Sequence, residues 1–75
     1  MKIVYETNKA STTRAVSVQV RKEEHFPVSY DIEVISFGKI VNSMTNDDSE
    51  AGAITIADLL LDIYWNELQD TLLAH

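Results

Sequence analysis

Apolar and polar residues alternate with a period of two through much of the first half of the chain, then give way to a helical period. Between Arg14 and Arg21, Val16, Val18 and Val20 share one side while Ser17, Gln19 and Arg21 share the other. Successive side chains of a strand point to opposite faces, so this segment predicts a strand with one buried and one wet face. Val28, Tyr30, Ile32 and Val34 repeat the pattern against Ser29, Asp31 and Glu33. The charged stretch Lys22-Glu23-Glu24-His25, closed by Phe26-Pro27, separates the two, which predicts an antiparallel hairpin. Lys2 to Glu6 reads as a shorter strand that ends in a polar loop, Thr7 to Thr13. Phe37-Gly38-Lys39 is either a turn into a fourth strand, Ile40 to Thr45, or a bulge extending the third, and periodicity leaves both open.

After an acidic loop, Asn46 to Gly52, the period lengthens to 3.6. Thr55 is the expected N-cap with Asp58 three residues on, and leucines at 59, 60, 61, 68, 72 and 73 predict a helix to about Leu73. The expected fold is therefore α+β: one domain, residues 1–75, with a small antiparallel sheet of three to four strands in a β-meander and one long C-terminal helix packed on it. On that helix Ile56, Leu59, Leu60, Ile63 and Tyr64 form a face able to cover the sheet, and Asp58, Asp62, Asn66 and Gln69 form a polar stripe. Leu61, Trp65, Leu68 and Leu72 carry the apolar surface further round, to about twice the arc that one-sided packing requires. That surplus predicts a homodimer joined through Leu61, Trp65, Leu68 and Leu72 about a two-fold axis. The alternative is a sheet curled around the helix with Trp65 at its rim.

Size and charge sharpen the picture. A chain of 75 residues without cysteine supports one modest core and has no disulfide or thiolate metal site to supplement it, a second reason to expect self-association. The net charge of −6 is unevenly placed: all six basic residues lie at or before Lys39, and seven acids with no lysine or arginine follow it. Such a balance disfavours direct contact with nucleic acid or an anionic membrane. No apolar stretch approaches the roughly 20 residues of a membrane span, and no signal-peptide core precedes the first polar residues, so a cytoplasmic location is expected.

Carboxylates four apart on a helix stand about 5–6 Å apart at Cβ, near the spacing of successive phosphates along a strand. Asp47, Asp48, Glu50, Asp58, Asp62 and Asp70 are accordingly expected to act as phosphate substitutes. They would dock this protein, as a DNA-mimic-type inhibitor or decoy, on a basic nucleic-acid-binding protein such as a histone-like protein, nuclease or polymerase. In charge, size and lack of cysteine the chain resembles the small acidic proteins that bacteriophages make to disable such host proteins; the resemblance carries no motif and transfers no residue. The alternative from a different class is a structural or adaptor homodimer domain that recognises its partner through an apolar helix stripe or a sheet edge, with the charge serving solubility.

Catalysis is not expected, and neither is a cofactor or a metal. His25 lies in a charged turn and His75 is the terminal residue, so no paired-histidine spacing exists. A calcium loop counted from Asp47 would place Gly52 sixth and Asp58 twelfth, yet its fifth position is Ala51, which offers no side-chain oxygen. Gly38 and Gly52 are too far apart to form a phosphate-binding loop.

Overall fold

The computed structural model of the chain describes residues 2–12, 14–46 and 49–73, with side chains described through Glu67. Strands β1 (Lys2–Ala10), β2 (Ala15–Glu23), β3 (Ser29–Ser36) and β4 (Lys39–Asn46) form one antiparallel sheet in chain order, and the helix α1 (Glu50–Leu73) follows. This is the α+β meander with a C-terminal helix packed on it that the alternation predicted. The register sets Val18 opposite Val34 and Val20 opposite Ile32, so the apolar sets of β2 and β3 lie side by side on one face. Val16, Val18, Val20, Ile32 and Val34 are almost wholly buried there, with Tyr30 beside them. β-branched residues fill a pleated, one-sided surface well, which is why these positions form the core.

Two boundaries differ from the expectation, and one alternative left open is settled. β1 runs on to Ala10, pairing as far as Ala10 with Ala15, because main-chain hydrogen bonding to β2 does not require apolar side chains. The fourth strand exists: Phe37 and Gly38 both have positive φ (52° and 78°) between the paired Ser36 and Lys39, the pattern of a type I′ hairpin turn. The helix starts five residues before Thr55, at Glu50. Ser49 is its N-cap, its Oγ accepting from the Gly52 N–H at 3.0 Å. A Cβ at Gly52 would come within 3.1 Å of that hydroxyl oxygen, so glycine leaves room for the cap. Thr55 instead donates its hydroxyl to the Ala51 carbonyl within the helix.

α1 packs chiefly over β2 and also touches β1 and β3. The stripe it buries is Ala53, Ala57 and Leu61, flanked by Ile56, Leu60, Tyr64 and Trp65. Of the expected face, Ile56, Leu60 and Tyr64 flank the buried stripe while Leu59 and Ile63 do not, a rotation of roughly one residue, about 100°. The two alanines allow close approach to the valine surface, which leaves Leu59 and Ile63 facing outward, exposed.

Candidate functional site

The acidic residues are divided by the fold. Asp58 accepts a hydrogen bond from Tyr5 Oη at 2.6 Å, and Asp62 accepts one from Lys9 Nζ at 2.7 Å. Tyr5 and Lys9 both reach the helix from β1, where four residues span about 13 Å of strand, while a helical i, i+4 pair spans about 6 Å; long side chains close the difference. The bond to Asp58 raises the Tyr5 phenol above its ordinary pKa. Glu50 is exposed in the first helical turn, where a carboxylate complements the helix dipole. Asp47, Asp48 and the side chain of Asp70 lie outside the described residues. Of the six acids expected to stand in for phosphates, two are thus engaged by the protein's own first strand.

The outer face of the sheet carries a second polar set. Arg21 Nη1 and Gln19 Nε2 both donate to Glu33 Oε1, at 2.9 and 2.8 Å, and Thr45 Oγ1 donates to Asp31 at 3.0 Å. These bonds hold the Glu33 carboxyl below the usual range, Arg21 first and Gln19 second.

The structure describes two side chains of the expected self-association stripe. Leu61 is 5% exposed, a member of the protein's own core, because the rotation described above turns it toward the valines. Trp65 is half-buried, with the Arg14 guanidinium over its ring at 4.9 Å, a cation–π contact that joins the helix to the start of β2. The side chains of Leu68 and Leu72 lie outside the described residues. Among the described residues, the large apolar side chains that α1 exposes are Leu59 (59%) and Ile63 (46%).

β4 is where the structure leaves most unmet. From Lys39 to Thr45 every residue is exposed, and Ile40, Val41 and Met44 are among the exposed large apolar residues. The register shifts near Val41, after which Asn42 to Asn46 pair regularly with β3. Asn42 occupies the border between edge and helix: its Nδ2 donates to Tyr64 Oη at 2.7 Å, and its Oδ1 accepts from the Ser43 N–H at 2.9 Å. The Ser43 amide is therefore engaged within β4 itself. Strand edges are normally guarded by charge. The other edge, β1, carries Lys2, Glu6 and Lys9, whereas Lys39 at the start of β4 is its one charged residue. The sequence signal was the uncharged run Ile40 to Asn46, which alternation alone could not rank because no apolar face is completed along it.

The calcium loop is excluded by geometry, since residues 50–58 are helical and cannot wrap an ion. A shallow depression of about 270 Å³ lies among Ala10, Ala15, Ser17, Ile35 and Phe37, below the roughly 300–1,000 Å³ of small-molecule pockets. Among the described residues, no helix is long and apolar enough to cross a membrane. No family model matches the chain, and neither a curated protein nor a solved structure does.

Proposed function

We propose that the protein is a binding module that recognises an extended segment of another protein along β4, adding it to the sheet as a fifth strand. The observation that carries this reading is the run Ser43 to Thr45, uncharged and exposed on the sheet's outer strand. Main-chain pairing supplies affinity in such a complex, and Met44 on the helix side with Ser43 and Thr45 on the outer side supplies selectivity. The net charge of −6 favours a partner with lysine or arginine flanking its strand, since complementary charge speeds encounter and suppresses wrong partners.

The reading is tested by affinity capture from an extract of the cells that make the protein, with the wild type beside Ser43→Pro and Val41→Lys. Proline at 43 removes an amide whose acceptor in the free protein is Asn42 Oδ1, and lysine at 41 places a charge against an incoming strand. Both variants should keep the wild-type circular dichroism spectrum and lose the partner. A partner retained by both would refute edge recognition.

The acidic decoy stands as a second reading, supported by the separation of charge along the chain. Its partner would be a basic nucleic-acid-binding protein. It requires that Asp58→Asn combined with Asp62→Asn lose the partner, and that wild-type capture fail steeply between about 50 and 300 mM salt. Edge recognition requires the partner to survive the double substitution.

A further inference from the structure

β4 lacks the run of charge that usually keeps a strand edge from pairing with another chain, and an uncharged contact stands at its centre. Asn42 pairs with Val34, whose side chain is in the core, so the Asn42 side chain stands on the helix side of the sheet. There its amide group makes two hydrogen bonds at once: Nδ2 donates to Tyr64 Oη at 2.7 Å, and Oδ1 accepts from the Ser43 N–H at 2.9 Å. The two ends have different anchors. Ser43 is exposed on the outer strand, whereas Tyr64 belongs to α1, half-buried and packed against the core. An exposed asparagine can satisfy both of its polar groups with water, so fixing it at both ends costs rotamer freedom that strand pairing alone does not require.

We propose that Asn42 and Tyr64 form a latch that regulates the β4 edge. Closed, the latch engages the Ser43 amide with Asn42 Oδ1; open, Asn42 turns away and the amide is free for the carbonyl of an entering strand. The latch rests on the edge reading, in which that amide pairs with the partner. Its strength follows from its geometry. The side-chain amide of asparagine is planar, so Tyr64, by holding Nδ2, also fixes where Oδ1 lies. α1 packs chiefly on β2, so the bond between Tyr64 and Asn42 can break without disturbing the valine core. An entering strand replaces the Oδ1 bond with one of the same kind and forfeits the bond to Tyr64, which weakens pairing by about 3- to 10-fold without blocking it. A strand that touches only the backbone near Ser43 is thereby disfavoured, and one that adds contacts at Met44 and Thr45 is retained, so the latch serves selectivity on an edge without guarding charge.

Amide exchange and peptide binding on the whole chain test the latch, with Asn42→Ala and Tyr64→Phe beside the wild type. Both substitutions remove only latch atoms and should leave the circular dichroism spectrum unchanged. Protection of the Ser43 amide, referred to the intrinsic exchange rate of each sequence, should fall about 3- to 10-fold in Asn42→Ala. It should fall by less in Tyr64→Phe, where Oδ1 remains but is no longer held, and the Val18 and Ile32 amides should not change in either. The binding probe is a fluorescently labelled peptide of alternating valine and threonine with a lysine pair at each end, matched to the net charge of −6. By anisotropy, Asn42→Ala should bind it about 3- to 10-fold more tightly than the wild type, and Ser43→Pro should not bind it. Equal affinity of wild type and Asn42→Ala for the peptide would overturn the latch and leave edge recognition standing. Ser43 protection unchanged in either variant would do the same. A peptide bound by neither the wild type nor Asn42→Ala would overturn edge recognition, and the latch with it.

Discussion

Phe37 holds a left-handed backbone conformation, φ 52°, with its ring 70% exposed. Left-handed geometry costs an L-residue about 1–2 kcal/mol, and asparagine before glycine is the favoured pair in a type I′ turn. Phe37→Asn should therefore stabilise the fold by about 0.5–1 kcal/mol in urea titration; a loss of stability would mean that the ring contributes a contact outweighing the strain. Glu33 supplies a pH dependence. Its carboxyl is held below the ordinary 4.5 by Arg21 and Gln19, so its contribution is complete above about that pH and is lost as pH falls through the lower, folded-state value. Wild-type stability should decline below pH 4.5 more steeply than that of Glu33→Gln, which has no such proton to take up. Equal slopes would show that the bonds to Arg21 and Gln19 do not differ in strength between the folded and unfolded chains.

At the scale of elements, the sheet was legible because β2 and β3 alternate strictly over their central residues, and the core valines follow from that alternation alone. Ile32→Ala should cost about 2–5 kcal/mol, as expected for a fully buried branched side chain at the centre of the sheet. The helix was legible in existence and not in orientation. Leucines dominated the reading of its faces, whereas Ala53 and Ala57 decide which face approaches the sheet, and alanine carries too weak a hydrophobic signal to rank against Leu59 or Ile63. Ala57→Leu should accordingly destabilise by about 1–3 kcal/mol by forcing α1 away from the valines; a neutral result would contradict the close contact. The cap was missed for a similar reason. Ser49 lies inside a polar acidic run that reads as loop, and only its bond to the Gly52 amide marks the helix start.

For the molecule as a whole, the acidic half of the chain suggested a coherent negative surface, and among the described residues the fold ties two of its carboxylates to β1. Asp58 and Asp62 turn to β1, which tertiary pairing decides and which one-dimensional charge counting cannot see. What the assembled fold leaves exposed lies on the opposite side: the uncharged run Ile40 to Thr45 of the outer strand, and Leu59 and Ile63 facing outward. The proposed binding surface is therefore the outer edge of β4, for an extended partner. Amide hydrogen exchange on the captured complex tests this most directly. The amides of Ser43 and Thr45 should slow by at least an order of magnitude relative to the partner-free protein, with those of the β1 edge unchanged; protection confined to β1 or to the Asp58–Asp62 flank of α1, with β4 exchanging as before, would contradict it.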